Sequence, residues 1–332
     1  MAKKAVIVGC GIAGATAAFL LKQKGYSVEV FETRNHIAGN CYDEEIHGVT
    51  VHKYGAHVFH TNRDKVWSFV NRFAKFNNFC PKVWANTKEG LIPIPYNDIT
   101  KTAIGEKSKD QIIDLIFRDY SEKMWGESWE NLPGEITSRI PKIREGTDRC
   151  YHKDPYFGVP IGGYVKMFEN MLEGVKVHLS CTPTDWQTTK NPDLVVYTGP
   201  IDQYFKYCRG RLDYRSLVFE WSREKKQEVF QINECNKDKT WLRSIDHSFF
   251  YGNDHLEYGI VHREYSCALD TVFNTNEPFY PVNFGENPNR YKQYRELARK
   301  EKNVIFTGRL ATYKYIDLDT AVSQTMNKMK NI

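Results

Sequence analysis

The chain opens on a short apolar, β-branched run, AVIV at 5–8. It lacks polar alternation, which predicts a strand buried on both faces. The spacing then changes: Ala15 to Lys24 is rich in Ala and Leu, is closed by Gly25, and predicts a helix. SVEVFE at 27–32 is a second strand. Two further apolar runs far down the chain, DLVVYTG (193–199) and NVIFTG (303–308), predict more buried strands, the latter followed by a closing helix over roughly 319–330. In between, DKVWSFVNRFAKF (64–76) and DQIIDLIFRDYSEKMW (110–125) have helical spacing. In the second, Ile113, Ile116, Phe117, Tyr120 and Met124 share one stripe. That stripe is either a core face or, at Phe117 and Tyr120, the edge of a cleft that stacks on a base. Residues 214–283 carry short β-like pieces, SLVFEW, EVFQI and YGIVHREY, which predict an antiparallel sheet.

The first strand runs into Gly9-Cys10-Gly11-Ile12-Ala13-Gly14, and the second ends in Glu32. A GxGxxG alone is weak. Framed by strand, helix, strand and a terminal acid, it predicts dinucleotide binding: glycines let backbone amides approach a pyrophosphate at the helix N-terminus, and the acid accepts from a ribose hydroxyl. The alternative is a glycine-rich turn in an unrelated α/β unit. Beyond Glu32, Arg34 and the Ala38-Gly39-Asn40 turn resemble the segment that passes the ribose and pyrophosphate in FAD proteins of the glutathione-reductase type. Thr198-Gly199 halts a strand where backbone can lie close to a cofactor, and Arg309 follows another. The FAD domain is therefore expected to be discontinuous, and a second GxGxxG for NAD(P)H is missing.

Composition narrows the classes. The 332 residues suit about two domains. No apolar run approaches the ~18 residues of a membrane span, and the N-terminus has no secretory pattern. Lys and Arg number 46 against 41 Asp and Glu, a net charge of +5, too mild and too dispersed for a nucleic-acid binder. The eight cysteines are scattered without a CxxC pair, which reads as a reduced, cytoplasmic protein without structural zinc. No catalytic triad, carboxylate pair or metal-ligand cluster is marked by spacing. Ser138 to Arg149 concentrates cations beside Pro and Gly. It is either a solvated loop or a mobile arm whose guanidinium forks clamp a diphosphate.

Taken together, HKYGAHVFHTN (52–62), YSEKMWG (120–126), SRIPK (138–142), GVPIGGY (158–164), VVYTGPIDQYF (195–205), EPFYPVN (277–283) and GRLATYKYIDLD (308–319) resemble the UDP-galactopyranose mutase family, in the family's order from end to end. The resemblance implies an α/β protein with a discontinuous Rossmann-like FAD domain (1–63, 156–212, 300–332). It also implies a reduced helical domain (64–82, 98–150) with a mobile substrate loop at about 135–150, and an antiparallel sheet domain (83–97, 213–299). The activity it implies is interconversion of UDP-galactopyranose and UDP-galactofuranose by reduced FAD through a covalent flavin N5–sugar adduct, with no net redox change. A flavin reductant such as NAD(P)H and a homodimer are implied partners; nucleic acid and membrane insertion are not.

Matched to the family's motifs, Arg139 and Arg243 fall on the diphosphate arginines, and Tyr151, Tyr280 and Tyr315 on the phosphate tyrosines. Phe117 and Tyr120 match the aromatic pair around the uracil, and Trp125 the tryptophan at the loop end. His60 matches the histidine near flavin and sugar, with His57 its neighbour; otherwise a lone His in an apolar strand is usually structural. Asp317 lies near the sugar and Arg309 near the flavin. The cofactor set is Gly9, Gly11, Gly14, Glu32, Arg34, Gly39, Asn40, His57, Thr198, Gly199 and Arg309, with no metal. Three departures stand out. The stretch between IPIPYN (92–97) and YSEKMWG is a few dozen residues short, the loop from Arg139 to Tyr151 is one residue longer, and Pro155 stands where an Arg is common. The shortening bears on the dimer and leaves UDP-N-acetylgalactosamine open as substrate. Other readings are an amine-oxidase-like FAD oxidoreductase and a non-catalytic UDP-sugar-binding flavoprotein.

Overall fold

A computed structural model describes residues 2–138, 143–148, 150–253, 255–269, 277–330 and 332. Five parallel strands form the first sheet, in the order Val304–Phe306, Leu194–Tyr197, Lys4–Val8, Ser27–Phe31 and Lys176–His178. Its strands thus come from both ends and the middle of the chain. Register is continuous: Val6 lies beside Val195 on one side and Glu29 on the other. Ile7, Val30 and Val196 are fully buried beneath the helices Ile12–Gln23 and Leu318–Met329, which contribute Leu21 and Val322. The amine of Lys24 ties the two together, donating to the carbonyl of Met329 (2.7 Å) at the negative end of the closing helix.

The first loop is packed backbone to backbone. A Cβ on Gly14 would fall within bonding distance of the Gly9 carbonyl, and one on Gly39 (φ +55°) would lie 2.8 Å from Gly11 Cα. No larger side chain fits either place.

A seven-stranded sheet carries the other half: Tyr280–Pro281, Tyr214–Lys225, Tyr258–Ala268, Arg243–Asp246, Gln231–Glu234, Val83–Thr87, Gly90–Ile94. It is antiparallel except where Gln231–Glu234 runs parallel to Val83–Thr87. Short helices come after the 83–94 hairpin, and two of them, Asp98–Ile104 and Lys109–Ile112, begin with capping boxes at Asn97 and Ser108.

Three expectations change. The helix Asp64–Val70 does not belong with the helical region. Val66, Phe69, Val70 and Phe73 complete the core of the parallel-sheet domain, with the Phe19 ring 4.7 Å edge-on to Phe73. Their apolar stripe packs against Phe19 and the other residues of that core. Next, the stripe through 110–125 is broken by a π-helical turn at Ile113–Phe117. The extra residue rotates the helix beyond it, so Ile112 and Ile116 pack on the 83–94 hairpin whereas Tyr120 and Met124 pack beside Leu217 and Phe279. Finally, the thiols are not all free: Cys80 and Cys150 form a disulfide with Cα atoms 5.5 Å apart, closing 70 residues of chain. Sequence separation hides such a pair. Among the described residues no helix is long and apolar enough to cross a membrane.

Replacing Gly14 by Ala forces the loop off the helix, as over-packing does elsewhere, at a cost of about 1–3 kcal/mol. Urea denaturation of the purified protein should show that loss.

Candidate functional site

The parallel strands end at a cavity of about 820 Å³. Gly9, Gly11, Glu32, Arg34, Gly39, Asn40, His57, Thr198, Gly199 and Arg309 all line it, as do Trp125 and Asp317 from the substrate set; Gly14 lies beneath. The helix Ile12–Gln23 begins at Gly11 with no side-chain cap and no acid in its first turn. Its leading amides therefore remain for an anion, where the helix dipole favours negative charge. Glu32 is itself positioned, accepting from the amides of Cys10 (2.7 Å) and Arg34 (3.0 Å). Burial pushes the Cys10 thiol up to about 12, so it stays protonated at neutral pH. The Thr198 hydroxyl donates to the Val8 carbonyl (2.8 Å), locking two strand ends together. The Arg34 guanidinium lies 4.0 Å over the Tyr54 ring and donates to Glu277 (3.2 and 2.5 Å) and Asn40 Oδ1 (2.8 Å). These residues suit a dinucleotide: free amides for a pyrophosphate, an acid for a ribose, a glycine cradle between.

Beside the cavity stands an aromatic cluster. Tyr280 and Tyr315 meet edge to face at 5.1 Å, and Trp125 lies 5.9 Å from Tyr315 and 6.4 Å from Tyr280. The Arg309 guanidinium sits over both tyrosines (5.2 and 5.5 Å) and donates to the carbonyls of Ile316 and Phe279. Arg243 Nε donates to Glu264 Oε2 (2.7 Å), and the Glu264 carboxylate is completely buried. Burial alone would raise that carboxyl; Arg243 and the His262 hydrogen bond bring it down to about 2. Burial raises the phenols of Tyr120, Tyr151 and Tyr280, and the positive charge of Arg243 partly offsets this at each. The structure therefore gathers Arg243, Tyr120, Tyr151, Tyr280 and Tyr315 into one neighbourhood. Phe117 stands apart from Tyr120, across the π-helical turn, against the cluster that includes Tyr151.

The two histidines part company. His57 lines the cavity, its Nδ1 2.7 Å from the Gly55 carbonyl, and burial pushes it down to about 4, so the imidazole is neutral. His60 is not among the cavity residues; its Nδ1 meets Asp154 Oδ2 at 2.6 Å and its ring stacks on His152 at 3.9 Å. Arg139 and Arg149 lie outside the described residues. Arg144, another cation of that stretch, is buried and donates to the carbonyls of Cys150 and Tyr151 (2.8 Å each), which holds Tyr151 rather than reaching out to a ligand.

Several participants escaped sequence reasoning. Glu264 is one acid in an alternating strand, and Asp154 one in a polar loop. Lys123 is the most unusual. Its ammonium lies 2.9–3.1 Å from four backbone carbonyls, of Glu234, Asn236, Lys239 and Trp241, which share its three N–H donors. It pins the connection that leads into Arg243. The YSEKMWG match was the only available signal, and it spoke of Tyr120 and Trp125.

A model of the UDP-galactopyranose mutase family matches residues 115–315, and one of NAD(P)-binding Rossmann-like domains matches residues 7–73. The dTDP-fucopyranose mutase of Escherichia coli is 30% identical, covering 97% of this chain and 96% of its own. The UDP-galactopyranose mutase of Mycoplasma genitalium is 30% identical over 98% and 94%, and the probable UDP-galactopyranose mutase of Klebsiella pneumoniae 29% over 98% and 93%. Among solved structures, reduced UDP-galactopyranose mutase superposes with a TM-score of 0.73 at 14% identity, covering 99% of this chain and 95% of that one. Putrescine oxidase reaches 0.62 at 11%, over 100% and 99%.

Acid sensitivity and the Lys123 anchor are both open to measurement. His52, His57, His152 and His247 are all held below their ordinary range, chiefly by burial. Below about pH 6.5 the unfolded chain takes up protons there that the folded one does not, so stability falls on acidification from about 6.5 toward 4. Burial raises the carboxyls of Asp43 and Asp202, which act in the opposite sense but are fewer. Thermal midpoints across that range should decline. Lys123→Met strands four carbonyls and should cost about 1–3 kcal/mol in urea denaturation.

Proposed function

The chain belongs to the UDP-galactopyranose mutase family, and from that premise we propose that it interconverts UDP-galactopyranose and UDP-galactofuranose with reduced FAD. It is a flavin-dependent mutase. The reduced state, the sugar and the residue roles are our reading. What carries that reading is the placement of Arg243 among Tyr120, Tyr151, Tyr280 and Tyr315, beside the cavity that fits a dinucleotide.

When bound, reduced flavin supplies the nucleophile for the anomeric carbon. The side chains hold the leaving diphosphate and keep it for return. Glu264 occupies Nε of Arg243, so the terminal amino groups are the ones that reach phosphate oxygens. Arg139 is assigned from its motif as the substrate-loop arginine over the diphosphate, and Arg243 as the second. Tyr151, Tyr280 and Tyr315 donate hydroxyl hydrogen bonds to the phosphates and Tyr120 is assigned to the base; Phe117, assigned with it from the motif, stands in a different cluster. Asp317 is assigned to the sugar and Trp125 to the end of the substrate loop. Neutral His57 and the Arg309 guanidinium are assigned to the flavin side, and His60, oriented by Asp154, is assigned as the catalytic histidine near flavin and sugar from its motif. These are charge-assisted and hydroxyl contacts, and the charge-assisted ones are the stronger.

A second reading has an observation in its favour: the Escherichia coli relative, 30% identical over nearly its whole length, is a dTDP-fucopyranose mutase. A thymidine nucleotide or a 6-deoxy sugar therefore belongs in the assay, beside UDP-N-acetylgalactosamine. We further assign the cytoplasm as location, a nicotinamide as reductant and a homodimer as assembly. In a reducing cytoplasm the Cys80–Cys150 bond would open.

The deciding assay incubates dithionite-reduced and oxidised holoenzyme, without oxygen, with UDP-galactofuranose and, separately, the furanose forms of UDP-N-acetylgalactosamine and dTDP-fucose. Conversion of UDP-galactofuranose in the reduced sample alone is expected. Preference for either other sugar would reassign the substrate; in a separate aerobic incubation of the oxidised holoenzyme with an amine, consumption of oxygen would replace the mutase by an oxidase. Arg243→Ala should retain FAD and lose turnover by roughly 10²–10³-fold.

A further inference from the structure

Four buried side chains lead from the turn that carries His57 to Arg243. The His57 amide donates to His52 Nδ1 (3.0 Å), and the His52 amide donates to His247 Nδ1 (3.1 Å). His247 Nε2 lies 2.7 Å from His262 Nδ1, and His262 Nε2 lies 3.0 Å from Glu264 Oε1. Glu264 Oε2 then accepts from Arg243 Nε (2.7 Å). His52, His247, His262 and Glu264 are each fully buried.

The backbone end dictates every proton along this line. An amide N–H can only donate, so Nδ1 of His52 and of His247 must be acceptors. His247 then carries its proton on Nε2 and donates to His262 Nδ1. His262 in turn carries its proton on Nε2 and donates to the carboxylate. The hydrogen-bond geometry thus gives His247 and His262 one tautomer each, with one direction, and a flip of either ring breaks both of its bonds; His52 has a hydrogen-bond partner at Nδ1 and, among the described residues, none at its buried Nε2. The rings are wedged as well: Trp221 packs on His247 and His262 (5.2 and 4.9 Å), Phe219 stands edge-on to His262 (5.4 Å), and Phe250 stacks on His52 (4.3 Å). Gly55, at φ +91°, leaves room for the carboxylate: a Cβ there would lie 3.1 Å from Glu264 Oε1.

Stability gives no reason for such a line. Apolar side chains of like volume would fill this aromatic box without desolvating three imidazoles and a carboxylate. What the line does supply is direction: a carboxylate held through one oxygen aims the other at a single nitrogen of Arg243. We propose that His247 and His262 are positioning residues that set the angle of Glu264, and through it of Arg243, for a nucleoside diphosphate, and that they tie this angle to the turn that carries His57. The proposal rests on the reading of Arg243 as a diphosphate ligand.

The test measures UDP affinity of FAD-loaded protein, with flavin content and thermal midpoint recorded for each variant. His262→Leu removes the donor to Glu264 and should weaken UDP binding by roughly tenfold. His262→Gln has an amide N–H for Glu264 and an oxygen for His247, and should restore most of the affinity. In an Arg243→Ala background, His262→Leu should add less than about twofold, because its effect runs through the missing guanidinium. A flavin-loaded His262→Leu protein with wild-type UDP affinity, or an equal loss with and without Arg243, would overturn the proposal; so would a Gln variant as weak as Leu. A lowered midpoint with unchanged affinity also overturns it, as a purely structural role. If His262→Leu does not hold flavin, His247→Leu, one bond further from Glu264, is scored by the same two criteria. Should Arg243→Ala itself bind UDP normally, the diphosphate reading fails, separately from the relay.

Discussion

Everything in this molecule is arranged around the close approach of three strand ends. Val8, Tyr197 and Phe306 finish side by side in the parallel sheet. The Thr198 hydroxyl closes on the Val8 carbonyl, and the next residue of the first strand has no space for a side chain against Thr198. Because one of these strands comes from the start of the chain, one from the middle and one from near the end, the cavity exists only once the whole chain has folded. The intervening segments supply the two remaining strands of this sheet and all seven of the second.

A common solution recurs in how cations are held near the opening. Arg34 is gripped by Glu277 and Asn40, Arg309 by two backbone carbonyls between aromatic faces, Lys123 by four carbonyls, and Arg243 by a buried carboxylate. Backbone carbonyls orient a cation while leaving its charge uncancelled, whereas a carboxylate orients and partly neutralises it. The difference divides the site. Arg309 is held by the carbonyls of Ile316 and Phe279, Arg243 by the buried Glu264 carboxylate. Pre-oriented charge of this kind costs no reorganisation when a dianionic group enters.

The fingerprint Gly9-x-Gly11-x-x-Gly14 and Glu32 were legible because their geometry is local: a strand, a turn and a helix start within a few residues, and the side chains needed are glycine and one acid. The parallel and antiparallel sheets were legible from alternation or its absence. Trp125, Tyr280 and Tyr315 were found only through family motifs, since an aromatic residue in an apolar context is ordinarily core. Glu264 and Asp154 were invisible, because their partners, Arg243 and His60, lie 21 and 94 residues away. The helical stripe at 110–125 was read with one period throughout, and a single π-helical turn divides it.

Neighbours within a few residues specify the nucleotide-binding turn, the succession of strands and helices, and the kinds of side chain available, so all three could be read along the chain. Folding in three dimensions settled the rest: which helix joins which core, that Cys80 reaches Cys150, that Arg144 holds Tyr151 from behind, and that three imidazoles line up behind Glu264. These are contacts between residues far apart in the chain. Their energies depend on burial and on the direction of single hydrogen bonds, which no spacing along one strand or helix encodes.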